Sequence, residues 1–266
     1  MKRSTIVKNL INIFVKRRRQ FFWESLFAFS LKHMNYGNGG NFEQSGELYI
    51  FKYVQNYFGK DLLLIIFDVG GNAGNYAKAL SNFFKSNAII HSFEPSKKTY
   101  EMFLETTKNI QNIISNNIGF SDKVNFQKLY TNEDGSGLAS IYKRNLEHYK
   151  ISMDKSEMIK LSTIDVYCKT NIINRIHLLK LDIERNELKA LKGAKYMIVE
   201  KKIDFIQFEF GGSNIDSRTY FQDFFYLLKD NYRIFRILKN GLFELPTYKE
   251  TNEIFTTVNY LAIKRE

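Results

Sequence analysis

Residues 62–76 read LLLIIFDVGGNAGNY, and this stretch decides the fold. The continuous apolar run from Leu62 to Phe67 predicts a strand that is buried on both faces of a sheet. The three glycines of the following GGNAG turn allow tight turning and close approach of a ligand. Apolar residues at helical spacing then predict a helix from Asn75 to Phe84. The stretch therefore has the form of a strand, a glycine-rich turn and a helix.

The same alternation continues along most of the chain. Further strands are predicted at Ala88–Phe93, Ile113–Phe120, Ile176–Leu181, Ile203–Phe210, Tyr232–Leu238 and Val258–Ile263, with another at Val124–Tyr130 inside a less regular stretch. Further helices are predicted at Lys97–Asn109, Glu187–Val199 and Phe221–Lys229, and one that ends at Asn171 is predicted to begin with a capping box of Ser162 and Asp165. Strands alternating with helices through right-handed crossovers give an α/β fold with a doubly wound, mostly parallel seven-stranded sheet. No helical pattern separates the last two main strands, which we expect to form an antiparallel C-terminal hairpin at one edge.

The N-terminal part departs from this pattern. We predict that residues 1–60 form a helical, basic extension and that residues 61–266 form the α/β domain. Seven Lys or Arg residues and no acidic residue occupy the first twenty positions, so much of the net charge of +11 belongs to this segment. This distribution argues against a basic groove for nucleic acid. An apolar helical stripe between Ile6 and Phe14 either packs on the domain or contacts an anionic membrane surface.

Neither export nor membrane insertion is indicated. The apolar runs near the N-terminus are shorter than the ~20 residues that a membrane helix requires, and charged residues interrupt them. The single cysteine, Cys168, cannot form an internal disulfide, which favours a reducing compartment. We therefore expect a cytoplasmic chain, with peripheral contact at the inner face of the membrane as an alternative.

The ends of the first two strands predict a nucleoside ligand. In doubly wound sheets ligands bind beyond the carboxyl ends of the strands. Glu94 follows the second strand, where a carboxylate can accept hydrogen bonds from ribose hydroxyls. The turn is not GxGxxG, and Asp68 before it would repel a pyrophosphate, which favours S-adenosylmethionine over NAD. The predicted cofactor-binding residues are Asp68, Gly70, Gly71, Asn72, Gly74 and Glu94, with Ser121 and Asp122 after the third strand as candidates for the adenine edge.

The fourth strand ends in a cluster of charged residues. Alternation along KLDIE places Lys180, Asp182 and Glu184 on one side of the strand, and these are the predicted catalytic residues. A carboxylate there deprotonates an acceptor hydroxyl if burial raises its pKa. The structural alternative is a network of lysine and carboxylates that braces the next helix. Glu209, after the fifth strand, is a further candidate for the acceptor side.

These motifs together resemble a known family. DVGGNAGNY, FEPSKKTYEMF, the pair Thr163 and Asp165, and LKLDIERNELKALKGA are similar in order and approximate spacing to the FkbM-type S-adenosylmethionine-dependent methyltransferases. The resemblance implies a class I methyltransferase with a Rossmann-like fold that methylates hydroxyls of sugars or other natural products. Arg185 stands where the family has glycine, and we expect it to narrow or recharge the acceptor site, to bind an anionic sugar, or to mark altered activity.

The expected function is O-methylation of a sugar hydroxyl in a surface polysaccharide, glycolipid or related natural product, with S-adenosylmethionine as cofactor. The expected partner is a small molecule or a glycan rather than nucleic acid. Two alternatives remain at this point, a nucleic-acid methyltransferase and a non-catalytic binding module. No HExxH or other metal-ligand motif is present, so no metal site is predicted.

Overall fold

The computed structural model describes residues 19–38 and 44–266. The strands are β1 (Leu64–Val69), β2 (Ala88–Phe93), β3 (Ile113–Asn116), β4 (Gly119–Phe120), β5 (Asn125–Thr131), β6 (Lys155–Ser162), β7 (Ile176–Leu181), β8 (Ile203–Phe210), β9 (Tyr232–Leu238), β10 (Gly241–Glu244) and β11 (Val258–Lys264). Within the described residues the main sheet has eight strands in the order β10-β9-β11-β8-β7-β1-β2-β3, and a small sheet has the order β4-β6-β5. β8, β7, β1, β2 and β3 pair in parallel, while β9, β10 and β11 join antiparallel.

Helices cover both faces of the main sheet. They are α1 (Gln20–His33), α2 (Glu47–Phe58), α3 (Asn75–Phe84), α4 (Lys97–Thr107), α5 (Ile164–Thr170), α6 (Glu187–Lys192), α7 (Lys195–Val199), α8 (Asn214–Ser217) and α9 (Phe221–Leu228). Alternation along β1 divides the core: Phe67 packs with residues of α5 to α7 and α9, whereas Ile66 packs with residues of α2, α3 and α4. The sheet is therefore doubly wound, as predicted.

The predicted sheet is right in class and differs in detail. The run Ile113–Phe120 is not one strand, because it divides into β3 in the main sheet and β4 in the small sheet. β9 and β11 are antiparallel neighbours as predicted, but the unpredicted β10 forms the edge beside β9. β11 instead lies between β8 and β9, which accounts for its complete burial along most of its length.

Two helix predictions need correction. The predicted helix Glu187–Val199 is interrupted between α6 and α7 at Gly193, where an added Cβ would lie 2.1 Å from the carbonyl oxygen of Ser121. The predicted capping box at Ser162 is also wrong: Thr163 caps α5 by accepting from the backbone N–H of Val166. Asp165 caps a different helix, because its carboxylate accepts from two N–H groups in the first turn of α7.

The two N-terminal helices, α1 and α2, differ in how much of their surface is buried. α2 packs on the main sheet through Ile50, Phe51 and Val54, which are fully buried. α1 has no buried residue along its length. The predicted apolar stripe from Ile6 to Phe14 lies outside the described residues, and the domain boundary at residue 60 stays a prediction. In residues 19–38 and 44–266, no helix has the length and apolar character required to cross a bilayer.

Candidate active site

The turn between β1 and α3 brings backbone close to the end of β7. The N–H groups of Gly70 and Gly71 donate to the Phe93 carbonyl, at 3.0 and 2.9 Å. Gly70 has φ +91°, and an added Cβ would lie 1.8 Å from the carbonyl oxygen of Asp182. Glycine is therefore required there both for its conformation and for its lack of a side chain. Gly74, at φ +88°, begins α3 in the left-handed conformation.

A cavity of about 790 Å³ opens at the carboxyl ends of the strands. The predicted residues that line it are Gly70, Gly71, Asn72, Glu94, Lys180, Asp182 and Glu184. Its opposite wall comes from the less regular part of the chain, through Gly135–Gly137, Ala139, Ile141 and Ile159. Those residues lie in the segment from Ser121 to Ile159, which carries none of the sequence motifs.

Glu94 connects the glycine-rich turn to the end of β2. Its Oε2 accepts from the backbone N–H of Asn72 at 3.0 Å, and its Oε1 accepts from that of Ser96 at 2.9 Å. Burial raises the pKa of Glu94 to about 7, against the effect of these two donors. Each carboxylate oxygen has a second lone pair, so the group retains acceptor capacity toward a ligand that enters the cavity.

Lys180 lies between two carboxylates. Its Nζ is 3.3 Å from Asp182 Oδ2 and 3.8 Å from Asp68 Oδ1, and it lies 3.8 Å from the centre of the Tyr76 ring. Burial disfavours the ammonium charge, but Asp182, Asp68 and Glu47 together raise the pKa of Lys180 above its usual value. Lys180 therefore remains a cation and does not act as a base.

Asp68 does not line the cavity, contrary to the argument that it would repel a pyrophosphate there. Its carboxyl group is fully buried, faces Lys180, and accepts from the Ser92 hydroxyl at 2.8 Å. Asp68 and Lys180 are direct partners in the register of β1 and β7, which explains the pairing. Burial raises the pKa of Asp68, although Lys180 opposes the rise. The carboxylate that reaches the cavity from this cluster is Asp182, whose side chain is 42% exposed.

Glu184 lies in a strained loop, residues 183–186, between β7 and α6. Its φ is +47° and that of the next residue is +90°, a left-handed conformation that is unfavourable for non-glycine residues. Glu187 stabilises the loop, because its Oε1 accepts from the N–H groups of Ile183 and Arg185. Arg144 donates to Glu184 Oε2 at 3.1 Å. Burial and the nearby Asp182 raise the pKa of Glu184 to about 8 despite Arg144.

Two further carboxyl groups line the same cavity. Glu209, at the end of β8, has a pKa raised well above its usual value, first by burial and then by Asp182 and Glu184. Glu47, the first residue of α2, accepts from Ser45 and Gln207, and burial raises its pKa. Sequence reasoning missed Glu47, since no local pattern shows that the start of α2 reaches the end of β7.

The structure places other predicted residues away from the cavity. Gly74 shapes the start of α3 without lining the cavity. Asp122 is exposed, and Ser121 is tied to the small sheet through its N–H bond to the Ser162 carbonyl. Gly119 and Phe120 line the cavity in their place. The adenine role of Ser121 and Asp122 gains no support from this arrangement.

Arg185 also points away from the cavity lining. Its side chain is fully buried, and Nη1 lies 3.1 Å from Asp216 Oδ2. Its guanidinium nitrogens have no hydrogen-bond partner of good geometry among the described residues, so the contact with Asp216 is ionic. The structure therefore does not show the expected recharging of the acceptor site by Arg185.

The residues that face the cavity fit S-adenosylmethionine. Glu94 lines the cavity beside the backbone of Gly70 and Gly71 and has acceptor capacity for ribose hydroxyls. Asp182, which is exposed to the cavity beside Lys180, offers a carboxylate to an ammonium or sulfonium group. In residues 19–38 and 44–266, no group of three or more His, Cys, Asp or Glu side chains is arranged to hold a metal ion.

Comparison with known proteins gives one family. Residues 68–241 match the family described as methyltransferase FkbM domain. A search of curated proteins finds no match. The solved FkbM methyltransferase from Methylobacillus flagellatus KT is 17% identical, with a TM-score of 0.44; the similarity covers 76% of this chain and 44% of that one. A putative rRNA methylase from Clostridium thermocellum is 10% identical, with a TM-score of 0.44 and coverage of 84% and 97%. A SAM-dependent methyltransferase from Aquifex aeolicus is also 10% identical, with a TM-score of 0.43 and coverage of 86% and 95%.

The doubly wound sheet and the glycine-rich turn with Glu94 define a class I methyltransferase. Because the family match covers most of the chain, the chain belongs to the FkbM methyltransferase family. The predictions of the fold class, the enzyme class and S-adenosylmethionine as the cofactor are confirmed at the level of that family. The chain spans less than half the length of the Methylobacillus protein.

Proposed function

We propose that this protein is an O-methyltransferase that methylates a hydroxyl group of a sugar in a polysaccharide, glycolipid or related natural product. The main support for this proposal is a set of carboxyl groups that lie together at one end of the cavity. Asp182, Glu184 and Glu209 line this end together with Glu47. Carboxyl groups are good hydrogen-bond partners for neighbouring hydroxyls, and the exposed carboxylate of Asp182 repels the phosphates of a nucleic acid.

Glu184 is the proposed general base. Its pKa of about 8 lies near neutral pH, and a base is most effective when its pKa lies near the pH at which the enzyme works. S-adenosylmethionine, when bound, would supply a methyl group from its positively charged sulfonium, and its sulfur would keep the electrons of the broken methyl–sulfur bond and leave as a neutral thioether. Glu184 accepts the proton that the acceptor hydroxyl loses as its oxygen forms the bond to the methyl carbon. Arg144 then loses part of its ion pair, because the protonated carboxyl group is neutral.

The other charged residues position groups and do not transfer protons in this proposal. Lys180, predicted as catalytic, holds Asp68 and Asp182 by charge. Asp182 faces the cavity and orients the bound ligands. Burial raises the pKa of Glu209 well above its usual value, and in its protonated form Glu209 can donate a hydrogen bond to an acceptor oxygen. Most of the rate then comes from positioning of the hydroxyl, and the base adds about 10²–10⁴-fold.

The test is methyl transfer from labelled S-adenosylmethionine to a panel of monosaccharides, nucleotide sugars and purified polysaccharides, with RNA in parallel. We expect label in at least one sugar and none in RNA. Glu184→Gln should lower the rate of transfer by about 10²–10⁴-fold, while Glu200→Gln, at an exposed position directly after α7, should leave it unchanged. Label in RNA alone, or equal rates for the Glu184 variant and wild type on a sugar, would contradict the proposal.

A further inference from the structure

α1 exposes an unusual amount of aromatic surface. The exposed fractions of its apolar side chains are 80% for Phe21, 59% for Phe22, 39% for Trp23, 42% for Leu26, 60% for Phe27 and 59% for Phe29. No residue of the helix is buried. Water-exposed aromatic surface of this extent normally marks an interaction site, because it is costly to leave in contact with water.

Among the residues that the structure describes, the contacts that hold α1 on the domain lie at its C-terminal end. Leu31 and Met34 pack on the hydrophobic core, and Asn35 donates to the Ile237 carbonyl at 3.0 Å. Tyr36 accepts from Arg236 at 3.0 Å. These contacts fix the C-terminal end of the helix against the domain. The aromatic residues lie in the turns before that end.

The chain around the helix is strongly basic. Seven Lys or Arg residues occur up to and including Arg19, the residue that precedes α1, and the first acidic residue of the chain is Glu24. Clustered basic residues attract anionic lipid headgroups, and aromatic side chains favour the boundary between headgroups and acyl chains. A second copy of this chain fits less well, because two such basic segments would repel each other. Charge complementarity therefore selects an anionic bilayer surface.

From these observations we propose that α1 is a membrane-docking element that lies in the interface of an anionic bilayer. The 14-residue helix is shorter than the ~20 residues of a span, so it binds along the surface. Phe21, Phe22, Phe27 and Phe29 enter the boundary region while the neighbouring basic residues contact headgroups. This inference does not depend on which hydroxyl the enzyme methylates.

Trp23 is the single tryptophan of the chain, and its position in α1 makes it an intrinsic probe. The full chain is mixed with vesicles of equal parts phosphatidylglycerol and phosphatidylcholine, or with vesicles of phosphatidylcholine alone. We expect a blue shift of the Trp23 emission and co-sedimentation with the anionic vesicles. Binding to the neutral vesicles should be at least about tenfold weaker, and added salt should weaken binding to the anionic ones.

The matched variants separate aromatic insertion from nonspecific adhesion. Phe21→Ser combined with Phe27→Ser should weaken binding to anionic vesicles by about tenfold or more, since each change removes exposed apolar surface. Phe126→Ser is the control, because Phe126 is 68% exposed on β5, and it should bind within about twofold of wild type. Methyl transfer to a soluble acceptor should be unchanged in all of these variants, which distinguishes failure of docking from failure of the proposed activity.

Three results would overturn the proposal. The first is absence of wild-type binding to the anionic vesicles. The second is equal binding of the Phe21 and Phe27 double variant. The third is a dimer of the wild-type protein in solution that the double variant converts to a monomer, because α1 would then be covered by a second copy.

Discussion

Replacement of Glu94 by glutamine keeps the shape of the side chain and removes its charge. Glu94 is 8% exposed, and its two carboxylate oxygens accept from the N–H groups of Asn72 and Ser96. The amide of glutamine has one oxygen, so one of these two donors must face an NH₂ group. The change therefore weakens both the hold on the glycine-rich turn and the acceptor for ribose hydroxyls.

The expected loss of S-adenosylmethionine affinity follows from the charge of the acceptor. A hydrogen bond to a charged group contributes about 1.5–3 kcal/mol. Loss of that contribution corresponds to roughly 10–100-fold weaker binding. Calorimetric titration of wild type and Glu94→Gln measures it directly, with NAD as a ligand that should not bind either protein. Glu101→Gln, at an exposed position on α4, is the control and should bind as wild type does.

The same variant has a pH signature in the absence of cofactor. Burial raises the pKa of Glu94 from 4.5 to about 7, so the folded protein binds this proton more tightly than the unfolded chain does. The stability from this group is complete below pH 4.5 and is lost as the pH rises through 7. At about 1.4 kcal/mol per unit of pKa, the loss is on the order of 3 kcal/mol. Glutamine does not titrate. The unfolding free energy of the variant, relative to that of wild type, should therefore increase by up to that amount between pH 4.5 and 8.

Urea denaturation at several pH values provides this second measurement. An S-adenosylmethionine affinity within twofold of wild type would refute the assignment of Glu94 to the ribose. The difference in unfolding free energy between variant and wild type should change with pH. A constant difference would refute the conclusion that burial raises the pKa of Glu94. The two results are independent, because one is measured with cofactor and the other without it.

Three further predictions concern the rest of the site. Glu184→Gln should lower kcat by about 10²–10⁴-fold. The wild-type rate should rise with pH through about 8 as Glu184 ionises, and the pH–rate profile of the variant should be flat. Gly70→Ala should lower the unfolding free energy by about 2 kcal/mol or more, since the new Cβ would lie 1.8 Å from a backbone oxygen. Gly241→Ala is the control and should lower the unfolding free energy far less, because the added Cβ meets nothing within 4 Å. Arg185→Gly should be more stable than Arg185→Ala by about 1 kcal/mol in urea denaturation, because φ is +90° there and only glycine adopts it without strain; equal stability of the two variants would contradict the strain.

The strands of the main sheet could be predicted because their burial is nearly complete. Runs such as Ile176–Leu181 have every residue buried, and a fully buried strand appears in the sequence as an uninterrupted apolar run. The residues at strand ends follow from the topology, which is why Glu94 and Asp182 could be predicted to lie at the cavity. β10 was missed because it is short and only partly buried, so its pattern is weak.

Side-chain direction and long-range approach could not be predicted in the same way. The position of Asp68 before the glycine-rich turn predicted that it lies near a ligand, but this position does not show that Lys180 on the neighbouring strand pairs with its carboxylate. Glu47 reaches the cavity from a helix far away in the chain, and no local pattern reports such an approach. Arg185 was noticed as a departure from the family pattern, yet its burial against Asp216 depends on a contact with the segment after β8.

The net charge of +11 taken alone favours a polyanionic partner such as nucleic acid. The positions of the charges give a different answer. Carboxyl groups gather at the cavity, and a phosphate backbone that approached the exposed carboxylate of Asp182 would meet repulsion. The basic residues are concentrated next to α1 in the sequence, beside aromatic side chains that a nucleic acid duplex cannot cover as a bilayer can. The two charge distributions therefore support the two different partners proposed above, a polyhydroxylated acceptor in the cavity and an anionic lipid surface at the N-terminal helix.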